Sequence, residues 1–271
     1  MLRSMYSGIS GMKNFQAKLD VIGNNIANVN TYGFKKGRTT FQDLVSQQIA
    51  GASAPANGKG GINPKQVGLG SQLASIDTIH TQGSLQTTAR PLDLAISGDG
   101  YFVVQDGPNN YFTRAGNFYL DSGDGTNATL VNANGLKVLD TEGQPITIPV
   151  DAESFSIGND GSVTYIRNGN LNTNPQQIGI AKFANNGGLA KAGSNLYQQT
   201  TNSGNVDPLN DLVAPKEDGA GGVVAGALEM SNVDLSEEFT EMIVAQRGFQ
   251  ANTRIITTSD EILQELVNLK R

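Results

Sequence analysis

One histidine and no cysteine among 271 residues leave few side chains able to do bond-making chemistry. Without Cys there is no disulfide, no thiolate metal ligand and no cysteine nucleophile. A Ser-His-Asp hydrolase would have to rest on His80 alone, and a metal centre would need more His, Cys or clustered carboxylates around it. His80 therefore reads as an ordinary strand or surface residue. Gly68-Leu-Gly70 is a dinucleotide fingerprint without its third glycine. Asp121-Ser-Gly-Asp-Gly125 has the composition of a calcium loop but not its ligand spacing, and reads as a turn. Gly8-Ile-Ser-Gly11 lacks the spacing and the strand of a nucleophile elbow. Asn127-Ala-Thr129 matches a short glycosylation sequon. A paired-carboxylate glycosidase usually brings aromatic sugar platforms, and this chain has no Trp. The expectation is a protein that is not an enzyme and carries no cofactor and no metal.

What remains is the chemistry of surfaces, and it lies at the two ends. Leu2, Met5, Ile9, Met12, Leu19 and Ile26, with Gln16 and Gly23 filling the gaps, repeat at spacings of three and four, a heptad seam. Leu235, Phe239, Met242, Phe249, Ile256 and Leu263 keep the same rhythm near the other end. A seam needs a partner to bury it: the opposite end of the chain, other copies of it, or both. These positions form the candidate assembly interface.

The spacing predicts a first helix over 2–27, closed by Asn24, Asn25, Asn28, Asn30 and Gly33. Gly8, Gly11 and Gly23 each weaken it by ~1 kcal/mol relative to Ala, so it depends on packing. A second helix is predicted over 233–269. Ser236 opens it with Glu237, Glu238 and Glu241 behind, Asp234 being the other candidate cap. Thr257-Thr-Ser-Asp260 is a soft spot expected to bend it.

Net charge is −6 but unevenly spread. Residues 1–38 set Arg3, Lys13, Lys18, Lys35, Lys36 and Arg38 against Asp20 alone, whereas residues 229–271 hold eight acids against Arg247, Arg254, Lys270 and Arg271. A basic first helix and an acidic last one suit each other electrostatically. The basic end is too sparse and too poor in aromatics for a nucleic-acid surface. No apolar run approaches the ~20 residues of a membrane span, and the first residues do not form a secretory signal.

From about residue 71 to 226 the apolar period changes to two. Hairpins are predicted at Ser97-Gly-Asp-Gly100, between 94–96 and 101–104, and at Gly158-Asn-Asp-Gly161, between 154–157 and 162–166. A third is predicted at Asn134-Gly135, and a further strand over 178–183. Residues 49–70 and 201–222 read as loop or linker. The expected fold is a mainly β body with N- and C-terminal α-helices pairing as a coiled coil. Residues 1–30 and 230–271 form the helical coiled-coil domain, 31–75 a linker or arm, and 76–229 an antiparallel β domain.

Three motifs then meet a known family. Asn24-Asn-Ile-Ala-Asn-Val-Asn-Thr-Tyr-Gly-Phe-Lys-Lys36, which contains Ala27, Asn28, Thr31, Gly33 and Phe34, resembles the signature of bacterial flagellar axial proteins, the rod and hook group. Met242-Ile-Val-Ala-Gln-Arg-Gly-Phe-Gln-Ala-Asn252, running on to Leu263, resembles the closing helix of that group. Leu92-Asp-Leu-Ala-Ile-Ser-Gly-Asp-Gly-Tyr-Phe102 and Tyr111-Phe-Thr-Arg-Ala-Gly-Asn-Phe118 resemble its body. The resemblance implies a structural subunit that self-assembles into a hollow helical tube. It implies export through the flagellar type III apparatus without a cleaved leader, and a place in the basal body or hook, outside the cytoplasmic membrane. Its implied partners are copies of itself, adjacent axial proteins (rod, hook-filament junction, hook cap) and the type III export gate, with no nucleic acid and no membrane insertion. Phe41-Gln-Asp-Leu-Val45 fits the family's export pattern, carried by Phe41 and Val45; Phe41 packing the arm is the structural alternative. The texture of Ser4–Met12 and of the Gln-Arg-Gly-Phe stretch points first to the hook, a universal joint between rod and filament. The alternative is the distal rod, a drive shaft, whose stiffening arm the insert from Val45 to Gly70 resembles. A secreted glycan-binding or glycan-cleaving β protein and an adhesin-like module are the rivals from other classes.

Overall fold

The computed structural model describes residues 2–54, 60–123, 125–207 and 211–269; the side chain of Leu2, one of the expected seam positions, lies outside the described part. The chain divides into two units. The first comprises Met1–Ala27, Gly37–Thr78 and Asp234–Arg271; the second comprises Asn28–Lys36 and Ile79–Val233.

In the first unit, helix α1 spans Leu2–Ala27 and helix α2 spans Leu235–Asn268. Asp234 is the cap of α2: its side chain accepts from the Ser236 and Glu237 amides, and Glu237 and Glu238 place negative charge in the first turn, where the helix dipole favours it. The expected soft spot stays helical. Thr257, Thr258 and Ser259 donate their hydroxyls to carbonyls three or four residues back, to Arg254 and Ile255, which keeps the polar groups bonded inside the helix. The described residues of this unit outside the helices include four strands: β1 (Gly37–Asp43), β2 (Gln47–Ala50), β3 (Lys65–Val67) and β4 (Ser71–Thr78). β1 pairs antiparallel with β4, with a register shift between Thr40 and Phe41, and β2 pairs antiparallel with β3. The segment expected as loop over 49–70 thus carries a short two-stranded ribbon. Its residues are exposed on both faces, so the apolar alternation that announces a strand is missing.

The second unit is antiparallel β. Strand Tyr101–Asp106 runs through the middle of a nine-stranded sheet, paired with Asn109–Thr113 on one side and with Lys137–Val138 and Ile180–Ala181 on the other. Its alternate residues feed two cores, as a period of two requires. Phe102 and Val104 join Leu94, Ile96, Phe118, Leu130, Ile146 and Ile180. Tyr101 and Val103 join Phe112, Leu139, Phe183 and Tyr197. The hairpin at Gly158–Gly161 forms, and so does the turn at Asn134-Gly135.

The hairpin expected at Ser97–Gly100 does not form: strand Leu94–Ser97 pairs with Gly222–Ala225 instead. The two glycines serve close approach rather than a tight reversal. A Cβ on Gly98 would lie 2.9 Å from Gly221 Cα, and one on Gly100 would lie 2.2 Å from the Ile180 side chain; their φ angles of +117° and +129° lie outside the left-handed turn well.

Candidate functional site

The two helices lie side by side and run in opposite directions. Gly8 of α1 sits against Ile256 and Asn252 of α2, Gly11 against Asn252, and Phe15 against Gly248. Further along, Lys18 Nζ meets Glu241 Oε2 at 3.0 Å, and Asn25 Nδ2 donates to Glu238 Oε2 at 3.1 Å. The facing residues of α1 therefore recur at 8, 11, 15, 18 and 25, and Ile22, 2% exposed, falls on the same stripe. Those of α2 recur at 238, 241, 248 and 252, with buried Ala245 and Ser259 in line. This is heptad spacing, and apart from Phe15 and Ile22 the stripe is made of small and polar side chains. Basic α1 meets acidic α2 across it, as the charge distribution predicted.

The expected seam lies one position further along on both helices. Met5, Ile9, Met12, Leu19 and Ile26, with Met242, Phe249 and Leu263, are half-buried beside the contact, and Ile256, also half-buried, lies in it against Gly8. Leu235 and Phe239 are 40% and 50% exposed. The gap-filling positions face away: Gln16 is exposed, and a Cβ on Gly23 would meet nothing within 4 Å. Ile243, Val244, Ile262, Leu266 and Val267 add to the apolar surface that α2 leaves open.

The family signature after α1 supplies connections. Asn25, buried, bonds through both ends of its amide to the backbone of Gly37, at 2.9 Å each, where β1 begins. Asn24 and Ala27 are exposed. Thr31 donates its hydroxyl to Asn28 Oδ1 at 3.2 Å, shaping the turn. Gly33 has φ +69°, and a Cβ there would lie 2.6 Å from the Ala115 amide nitrogen, so only glycine fits. Phe34 is buried, with the Lys191 ammonium 5.0 Å above its ring. Phe41 lies in β1 opposite Leu73 and is 40% exposed; Val45 is 84% exposed.

Sequence reasoning missed the centre of the second unit, a buried charge cluster. Glu229 Oε1 accepts from Lys35 Nζ at 2.5 Å and from the Gly83 amide at 2.9 Å, while Oε2 accepts from Arg114 Nη1 at 3.2 Å. All three side chains are 2% exposed or less. Burial pulls the Lys35 ammonium below the usual lysine range, and the Glu229 carboxylate opposes that pull. Lys35 Nζ also donates to the Thr81 carbonyl. Asn232 accepts from the Lys36 amide and donates to the carbonyls of Ile79 and Thr81. Gly33 donates to the Glu229 carbonyl, and Ile79 to that of Lys36. Segments 28–36, 79–84 and 227–233 are thereby tied into one collar. Lys35 and Arg114 both sit inside the quoted motifs; charges in otherwise apolar runs were the available signal.

His80 stands beside this collar. Its Nδ1 lies 2.7 Å from the Tyr101 hydroxyl, and its ring meets those of Tyr101 and Tyr197 edge-on. Burial, then the Lys35, Lys191 and Arg114 cations, push its pKa down to about 4, so the ring is neutral at neutral pH. Among the described residues, no group of three or more His, Cys, Asp or Glu side chains is placed to hold a metal ion, and no helix is long and apolar enough to cross a membrane.

Comparison with known proteins covers every part of this geometry. Residues 5–35 match the family described as flagella basal body rod protein, 95–165 the flagellar hook protein FlgE/F/G D1 domain, and 224–269 the flagellar basal body rod FlgEFG protein C-terminal family. Lys35, Arg114 and Glu229 each fall in a different one of these segments. Over the full length of both chains, the sequence is 60% identical to the flagellar basal-body rod protein FlgG of Bacillus subtilis. It is 39% identical to the FlgG of Borreliella burgdorferi over the full length of both chains. It is 34% identical to the flagellar hook protein FlgE of that organism, again over all of both chains, in an alignment of 445 positions.

Proposed function

The chain belongs to the flagellar rod and hook family of axial structural proteins, and we propose that within it the chain is a distal-rod subunit, a building block of the drive shaft in the basal body. One observation carries this choice. Identity to a basal-body rod protein reaches 60% with both chains covered end to end. The hook relative aligns over 445 positions against 271 residues here, so it contains segments this chain lacks. The sequence texture that put the hook first is outweighed by that full-length match, and the ribbon of β2 and β3 suits the arm expected of a rod.

The mechanism is assembly through the helices. α1 and α2 act as one antiparallel coiled coil in each subunit, joined by the small-residue stripe. The half-buried row, with Phe239 and Ile243, is left for further copies. A contact between unlike surfaces whose rotation does not close into a ring propagates into a helical tube. Adjacent axial proteins, rod on one side and hook on the other, take the same surfaces at its ends. Export through the type III gate uses the Phe41 to Val45 segment, in which the Phe41 and Val45 side chains stand at the surface. The test is to locate an epitope-tagged copy by electron microscopy of isolated basal bodies. Label within the envelope supports the rod; label on the external curved segment means the hook. Failure of the purified chain to form filaments at any concentration overturns both.

A further inference from the structure

We propose that His80 is an acid-operated latch on the collar: when its ring takes up a proton, segment 79–84 releases from segments 28–36 and 227–233 while the core around Phe102 and Phe118 stays packed. The inference is independent of whether the subunit belongs to rod or hook.

The geometry leaves no place for an imidazolium. The ring has one hydrogen-bond partner among the described residues, the Tyr101 hydroxyl, which donates to Nδ1 while that nitrogen is bare. Protonation puts a hydrogen on both ring nitrogens; at Nδ1 the Tyr101 hydroxyl oxygen can turn to accept it. The other nitrogen, Nε2, is buried without a partner, so the charged N–H that the imidazolium must carry there has nothing to bond to. The groups facing the ring come from five elements. Lys35 approaches from the turn after α1, Arg114 from the end of strand Asn109–Thr113, Lys191 from strand Ala190–Gly193, Tyr101 from the central strand and Tyr197 from strand Leu196–Gln198. Three are cations and two are phenols that burial keeps protonated. The nearby carboxylate, Glu229, has both oxygens occupied by Lys35, Gly83 and Arg114. A fourth cation therefore arrives with no counter-charge.

Release is directed at segment 79–84 because His80 lies in it and its ties are few. Those to the other two segments run from Ile79, Thr81, Gly83 and Ser84 to Lys36, Lys35, Asn232, Glu229 and Met230, while Gln82 bonds separately to the Ile96 carbonyl and the Gly98 amide. The large apolar core lies on the other face of strand Tyr101–Asp106, away from His80.

The sign follows from linkage. An unfolded or released segment binds the proton near pH 6.5, while the packed ring resists it down to about 4. The latch is closed above that window and opens as pH falls through it.

A single histidine gives a single-residue readout. The full-length chain, labelled with ¹³C-histidine, is titrated from pH 8 to pH 3.5 by NMR. Amide hydrogen exchange is followed by mass spectrometry across the same range and corrected for the intrinsic rate at each pH. The expected result is that ring titration coincides with at least tenfold loss of protection in 79–84 and its two partner segments, with residues 101–118 unchanged. His80→Gln, which cannot take up the proton, keeps the collar protected down to the carboxylate range. A ring that titrates near 6.5 with protection intact overturns the proposal. So does simultaneous loss of protection across the whole β unit, or identical opening in wild type and variant.

Discussion

Gly248 is where the helix pairing is most sensitive. Alanine there would place its Cβ 2.5 Å from Cζ of Phe15, and 2.7 and 2.8 Å from Cε1 and Cε2. Carbon contacts normally sit at about 3.5–4.0 Å, so the ring or a helix must move by about 1 Å. Overpacking of this kind costs about 1–3 kcal/mol. Against it, Ala in place of Gly inside a helix gains about 0.5–1 kcal/mol. The expected net loss is about 1 kcal/mol, which in a unit of roughly 100 residues lowers the melting midpoint by about 4–8 °C. Gly23 is the control. Its Cβ would meet nothing within 4 Å, so Gly23→Ala keeps the whole gain and raises the midpoint by about 2–8 °C. Gly8 has its nearest neighbour at 3.5 Å and follows Gly23; Gly11 meets the flexible Asn252 side chain at 2.9 Å and falls between. The assay is a thermal melt of the four variants by circular dichroism at 222 nm. If Gly248→Ala melts as high as Gly23→Ala, Phe15 does not pack on Gly248 and the described pairing is refuted.

Other outcomes follow from the same geometry. Glu229→Gln leaves Lys35 and Arg114 buried without a carboxylate and destabilises the β unit by about 3–5 kcal/mol; urea unfolding followed by tyrosine fluorescence checks it, and a loss under about 1 kcal/mol contradicts the cluster. Asp234→Ala removes the acceptor for the Ser236 amide, at 2.8 Å, and costs about 1 kcal/mol of helix stability, read as an earlier melt of α2. Ile9→Asp combined with Phe249→Asp puts charge on the half-buried row. Polymerisation should be lost by electron microscopy while the β signal in circular dichroism is kept, and normal filaments would exclude this row from the interface.

The helices were legible because their signal is long and local. Periodicity over more than twenty residues set the bounds of α1 and α2 to within about two residues, while the cap of α2 is the alternative Asp234 and not Ser236. The face was harder. A search for large apolar residues at the heptad positions finds Ile9, Met12 and Leu19, yet the contact is made by Gly8, Gly11 and Lys18 one position earlier, with Phe15 on the same stripe. Small residues let backbones approach closely and carry no hydropathy signal of their own. In the β unit, the turn at Asn134-Gly135 was legible because its partners are neighbours in sequence. The pairing of Leu94–Ser97 with Gly222–Ala225 was not, since nothing local reports a partner so distant. Glu229 was invisible for the same reason: its meaning depends on Lys35 and Arg114, which the fold brings from far away.

The composition of the helix stripe bears on how a subunit of this kind divides its binding energy. Apolar burial stabilises by about 25 cal/mol per Å², so in a contact that includes Gly8, Gly11, Ala245 and Gly248 the gain from area rests on Phe15, Ile22 and Ile256. Its specificity comes from polar pairs that fit in one register only, Asn25 with Glu238 and Lys18 with Glu241. Had Ile9, Met12, Leu19 and Phe249 occupied the centre, the hairpin would satisfy more of its own apolar surface and leave less drive to associate. Placed one position aside, they stay half-open while the polar stripe fixes the geometry in which they are presented. On the proposed reading, the two rows have separate tasks. The small and polar row sets the shape of the single chain, and the large apolar row holds its neighbours. Substitutions in the first should alter the melting of the isolated chain, and substitutions in the second should alter the concentration at which it polymerises.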